Sequence, residues 1–278
     1  MRMAGLSEQK PKPSAADGGP TDNRAVHVDG LRKSFTRGGA TKEVLRDVSL
    51  GISNSEFVAV IGLSGYGKST LLKILAGLTP FDDGVVRISG MDVTGPRRDV
   101  GFMFQHLALL PWRTVLGNVM LPAEISGESR DGTRDRALRC LEMVGLQGFE
   151  KYYLREISGG MQQRVALSRM LMSESRLLLL DEPFSALDEL TRENVNTLFM
   201  DVCSTTGATA LLVTHSIYEA VFMSDRVIVM PPQPGGELSF IDIPFARPRD
   251  PDVMRDPRFG EAVFQVREAL GLGSHAAG

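Results

Sequence analysis

Hydrophobic and polar positions divide the chain into a polar lead-in and a long succession of strand-like and helix-like segments. Residues 1–23 carry Pro11, Pro13, Pro20, Gly18 and Gly19 among scattered charges. They lack apolar periodicity, which predicts a disordered tail. Val26, Val28 and Phe35 open a strand-like stretch, Gly38-Gly39 mark a turn, and residues 44–52 alternate again. Asn54-Ser55-Glu56 turns the chain into an apolar run over 57–63, and a helix-compatible run follows over 71–78. Thr79-Pro80 and Asp82-Asp83-Gly84 stop that helix. Residues 85–88 and 100–104 read as strands. Between Gln105 and Ile157 the spacing becomes helical: Leu116, Val119 and Met120, then Ala137, Leu138, Leu141 and Val144, with a break over 127–132. This predicts a helical insertion over about 106–157.

Ser158-Gly159-Gly160 precedes a helix over 161–172, and Leu177-Leu178-Leu179-Leu180 is a fully apolar strand ending in Asp181-Glu182-Pro183. A helix over 190–203, a strand over 210–214 ending at His215, a helix over 218–223 and a strand over 226–230 follow. Beyond the Pro- and Gly-rich loop 231–236, a short strand over 238–243 and an amphipathic helix over 258–270 form an extension, 231–278. The pattern is that of an α/β fold, with an antiparallel β layer built from the strands ahead of residue 57. The main domain is expected over 24–230.

Composition narrows the function classes. The 278 residues are 42% hydrophobic and 23% charged, as in a globular protein able to bury a core. The formal net charge of −3 gives no global electrostatic case for nucleic acid. Cys140 and Cys203 lie far apart, with no C-x-x-C pattern, and read as buried thiols. No apolar run approaches a membrane span, so any membrane role is expected through a partner.

The stretch from Val58 to Leu72 carries the clearest chemistry. A short β-branched run meets Gly62-Leu63-Ser64-Gly65-Tyr66-Gly67-Lys68-Ser69-Thr70, the G-x-x-x-x-G-K-[ST] pattern between strand and helix. Glycines let such a loop turn its N–H groups inward on a phosphate chain, and a helix opening near Lys68 adds its dipole. Lys68 is expected to reach the β- and γ-phosphates, and the Ser69 hydroxyl to bind Mg²⁺. A tight turn in an ordinary α/β domain is the bland alternative, and the flanking strand and helix weigh against it.

Over residues 24–230 these motifs resemble the ATP-binding subunit of an ABC transporter. Ile157-Ser158-Gly159-Gly160-Met161-Gln162-Gln163-Arg164 is similar to the family's signature, with Ile157 and Met161 departing from the usual Leu-Ser-Gly-Gly-Gln. The resemblance implies a P-loop NTPase core with an antiparallel β layer and a helical insertion, binding ATP and Mg²⁺. It implies that Asp181 holds Mg²⁺ with Ser69, that Glu182 is the general base, and that His215 contacts the γ-phosphate. Gln105 resembles the glutamine that senses Mg²⁺ and γ-phosphate, and Phe35 the aromatic that stacks on adenine. Ser158, Gly159 and Gly160 are expected to reach the nucleotide of a second ATPase subunit, identical or paralogous, and Ser185-Ala186-Leu187-Asp188 to lie at that seam. Leu109-Leu110-Pro111-Trp112-Arg113-Thr114-Val115 looks like the importer branch for nitrate, aliphatic sulfonates and taurine. Permease partners, an indirect solute-binding protein and a peripheral place on the cytoplasmic face of the membrane follow from that resemblance.

Two competitors stay open at this point. A soluble ABC-type ATPase acting on nucleic acid or ribosomes usually carries two cassettes or long coiled coils, and neither is present in this sequence. A P-loop kinase or regulator lacks a signature-like Ser-Gly-Gly helix start. Trp112 reads either as core packing or as part of a groove for a membrane subunit.

Overall fold

Three five-residue runs, Phe57–Ile61, Leu177–Asp181 and Thr209–Val213, are buried at every position, so each must be covered on both faces. In the computed structural model, which describes residues 24–185 and 187–272, these runs form the centre of a six-stranded sheet. The predicted tail over 1–23 lies outside the described residues.

In chain order the elements are β1 (Arg24–Arg37), β2 (Ala40–Ser53), β3 (Phe57–Ile61), α1 (Lys68–Leu75), β4 (Asp83–Ile88), β5 (Met91–Asp92) and β6 (Val100–Met103). Next come α2 (Val115–Val119), α3 (Leu121–Ser126), α4 (Arg130–Met143), α5 (Gly159–Leu171), β7 (Leu177–Asp181), α6 (Glu189–Thr206) and β8 (Thr209–Val213). The chain continues through α7 (Ile217–Met223), β9 (Arg226–Val229), β10 (Ser239–Asp242) and α8 (Pro257–Ala269). The large sheet has the order β10-β9-β3-β8-β7-β6, parallel throughout except for β10 at its edge. A second, antiparallel sheet has the order β2-β1-β4-β5.

The strand period of two sorts alternate residues into two cores. Val58, Val60, Leu177, Leu179, Leu211 and Val213 pack with α1 and the inner face of the antiparallel sheet. Phe57, Ala59, Ile61, Leu178, Leu180, Ala210 and Leu212 face the helical layer instead. There Phe57 and Phe184 flank Phe199 of α6, with ring centroids 5.8 and 6.3 Å away in edge-on geometry. Emptying such a site, as in Phe199→Ala, costs about 3–5 kcal/mol.

Helix starts are written locally. Thr114, Ser158, Asp188, Ser216 and Asp256 each accept a backbone N–H of the helix they precede. The predicted insertion is helical only from Val115 onward. From within α2, fully buried Asn118 accepts from Leu110 N and donates to Leu110 O and Thr114 O, holding the stretch ahead of Val115 as a loop. The expected break over 127–132 is shorter: Gly127, with φ of 71°, ends α3, and α4 begins at Arg130.

Candidate active site

Pairing register brings the strands of the large sheet to a common end: Val60 lies opposite Val213, and Val213 opposite Asp181. The residues just beyond those carboxyl ends therefore meet in one place, the usual binding edge of an open α/β sheet. Gly62 follows β3, Gln105 comes just after β6, Asp181 ends β7, and His215 comes just after β8.

The loop after β3 is a tight backbone cradle. Gly65 and Gly67 have φ of 85° and 88°. A Cβ at Gly67 would sit 2.6 Å from Leu45 Cδ2 and 2.9 Å from the Val44 carbonyl, so both conformation and space demand glycine there. Leu63 and Ser64 are exposed, and Tyr66 and Thr70 are half-buried. Gly67, the N-cap of α1, supplies no side-chain cap, which leaves the first-turn N–H groups for an anion. Lys68 is buried, and its Nζ donates to the Gly62 and Leu63 carbonyls at 2.8 Å each. Burial lowers its pKa, while the carboxylates of Glu182 and Asp181 oppose that shift.

Ser69 Oγ donates to Asp181 Oδ1 at 2.7 Å, joining the start of α1 to the end of β7. The next residue, Glu182, takes φ of 46°, and its N–H bonds to the Val213 carbonyl at 2.9 Å. Its Oε2 lies 3.3 Å from Gln105 Nε2 and 3.5 Å from His215 Nδ1. One carboxylate thus spans the loops after β6 and β8. Behind it, Thr214 Oγ1 donates to buried Glu219, and Arg192 of α6 donates to the Phe184 and Leu187 carbonyls.

Ser158, Gly159 and Gly160 stand apart from this cluster, and no hydrogen bond among the described residues links them to it. Ser158 and Gly159 are exposed at the start of α5, where Ser158 Oγ accepts from Met161 N at 3.3 Å. A side chain at Gly159 would meet nothing, whereas a Cβ at Gly160 would come within 2.6 Å of Thr191 Cγ2. Phe35, on β1, is also separate; it is 46% exposed, with Lys33 Nζ 5.2 Å from its ring centroid.

A profile of the ABC transporter family matches residues 45–185. An uncharacterized ABC transporter ATP-binding protein of Methanocaldococcus jannaschii is 42% identical over 225 residues, covering 81% of this chain and 84% of the relative. The chain belongs to the ABC transporter family.

As an ATP-binding subunit of the ABC transporter family it is an ATPase, and other members extend the comparison. The taurine import ATP-binding protein TauB of Burkholderia thailandensis is 42% identical over 239 residues, with 84% of this chain and 91% of that protein covered. A solved ATP-binding cassette, a dimer in a post-hydrolysis state bound to ADP and Pi, superposes with a TM-score of 0.69 at 33% identity, covering 77% of this chain and 97% of that one. Against the family pattern, Met161 does not leave a hole: it packs against the main core, and its backbone N–H serves the Ser158 cap. Trp112 is not core packing, since it is 71% exposed. Sequence reasoning missed Glu219, Arg192 and Asn118. An acid one helical turn beyond His215, in the otherwise apolar segment Ile217–Met223, was the available signal for the first.

Proposed function

We propose that this ATPase drives import of taurine or a related small solute, and that the cluster around Glu182 hydrolyses the ATP. The taurine import proteins among its relatives support the solute class. The observation that carries the hydrolytic reading is the Glu182 carboxylate, held between Gln105 and His215 above the Ser69–Asp181 pair.

On this reading the triphosphate lies along residues 62–70, where Lys68 exchanges its two carbonyl contacts for phosphate oxygens. Ser69 and Asp181 present hard oxygen donors at this point, and Gln105, whose amide nitrogen bonds Glu182, has its carbonyl oxygen left to add, a set that suits Mg²⁺. The ion would neutralise charge on the phosphates. Glu182 takes a proton from the attacking water, and His215 steadies both the water and the γ-phosphate. Phe35 offers its exposed ring to adenine. Ser158, Gly159 and Gly160 serve the nucleotide of a partner copy. ATP then closes the dimer and hydrolysis reopens it, since a ligand alone shifts an equilibrium only by its differential affinity.

Permease subunits would couple through a cleft of about 630 Å³ between β6, α3 and α5, lined by Phe102, Phe104 and 76%-exposed Ile125. Among the described residues no helix is long and apolar enough to cross a membrane. Attachment to the cytoplasmic face would therefore run through that partner.

Glu182→Gln tests the reading. Nucleotide affinity by equilibrium titration should persist while steady-state turnover falls roughly 10²–10⁴-fold. Near-normal turnover would remove Glu182 from the reaction.

A further inference from the structure

Away from the nucleotide edge, a cleft of about 650 Å³ opens between α4 and the strand-start edge of the large sheet. That volume is in the range of small-molecule sites. Its walls come from α4, the end of α5 with the turn into β7, and the turns ahead of β3 and β8. The floor is apolar, made by Cys140, Leu171, Leu178 and Ala208. Met143, in the last turn of α4, adds a thioether wall that is 38% exposed.

The rim is cationic. Arg136 is already matched, by Glu128 at 2.5 Å and by Glu174 at 3.6 Å. Arg139 and Arg176 also line the cleft and are exposed; Arg176 additionally acts on Asp99, whose close partner is Arg97, and Glu174 is the carboxylate among the lining residues. Exposed arginines alone are ordinary solvated groups. Two guanidiniums without a close carboxylate partner, above an apolar floor in a cleft of ligand size, define a chemistry: an anionic head on an apolar body.

We propose that this cleft binds a small organic anion, with its carboxylate, sulfonate or phosphate head between Arg139 and Arg176 and its apolar part against Met143 and Leu178. Bound there it would tie α4, in the helical segment, to the central sheet. Arg176 directly precedes β7, the strand whose far end carries Asp181, so the cleft and the catalytic cluster share one rigid element. The site is independent of which solute is transported.

The aromatic sulfonate 8-anilinonaphthalene-1-sulfonate tests this on the full chain with MgADP saturating, so that the nucleotide site is filled. The expected result is saturable fluorescence at one site per chain, displaced by octanoate and not by octylammonium. Arg139→Glu combined with Arg176→Glu should weaken binding at least tenfold, about 1.4 kcal/mol, while circular dichroism and ATPase rate match the parent. Bound dye should also slow thiol labelling of Met143→Cys. Unchanged affinity in the double variant, equal displacement by octylammonium, or labelling of Met143→Cys indifferent to the dye would each overturn the proposal.

Discussion

Glu219 shows how much of the catalytic edge depends on single side chains behind it. It is 7% exposed and accepts from Thr214 Oγ1. Burial raises its pKa above the ordinary carboxylate value of 4.5, opposed by the Thr214 hydroxyl, the Asn196 amide and the charges of Arg192 and His215. A carboxyl whose folded pKa is raised contributes stability that is fully present below the unfolded pKa and is lost as pH rises through the folded value. Glu219→Gln removes that titration while keeping a group able to bond Thr214. In thermal melts from pH 4 to 8, the parent should lose stability relative to Glu219→Gln as pH rises, and the two curves should differ by a constant amount above the folded pKa. A difference between the two proteins that does not vary with pH would show that Glu219 does not titrate in this window. Glu182 itself adds backbone strain at φ of 46°, the kind of cost that folds tolerate where geometry at a site is over-determined.

Among the elements, α7 is held at both ends, and the two ends differ in how legible they are in sequence. Its start is local: Ser216 caps Glu219 N, three residues on. Its finish is not, because the carbonyls of Val221 and Phe222 accept from Arg249 at 2.8 Å, and Arg249 is only 4% exposed. Burial brings that guanidinium's pKa down to about 10, so it remains charged. Arg249→Ala leaves buried helix-end carbonyls without donors and should cost about 2–3 kcal/mol in urea unfolding. Arg249→Lys, which lacks the fork, should recover only part of this. Arg247 works alongside it, bonding Asp225 with two nitrogens and the Ser55 carbonyl with one of them, and so closing over the start of β3. The strands, the helix starts and the loop at 62–70 were readable because period, cap and glycine spacing lie within a few residues of one another. Asn118, Arg192, Glu219 and Arg249 were not, because three-dimensional burial gives each its meaning. Phe35, read from the family resemblance as the adenine-stacking aromatic, is 46% exposed on β1 rather than packed in the core.

At the scale of the whole molecule, α1 and α5 both open on glycine-rich turns, and no hydrogen bond among the described residues joins the two starts. The first turn of α1 is joined to the end of β7 by the Ser69–Asp181 bond, within the cluster proposed to hydrolyse ATP, while Ser158 and Gly159 lie exposed at the start of α5. A solved relative of this fold is a dimer, and a head-to-tail pair of copies would bring each exposed start to the other's nucleotide. If that pairing operates, Glu182→Gln protein should become dimeric on adding ATP, as read by light scattering on a sizing column, and stay monomeric without it. Adding Ser158→Arg puts a long side chain on the exposed cap, where it has room on its own chain but none against a companion surface. It also removes the Ser158 hydroxyl and its cap, worth about 1 kcal/mol, so Ser158→Ala serves as the control for the lost hydroxyl without the added bulk. The expected result is ATP-driven dimers for the Ser158→Ala protein and monomers for the Ser158→Arg protein, with nucleotide affinity per chain falling in both only to the extent that dimerisation is lost. Dimers of the Ser158→Arg protein at the parent's ATP concentration would mean that the start of α5 faces solvent in the working assembly and that its glycines serve only the helix they open.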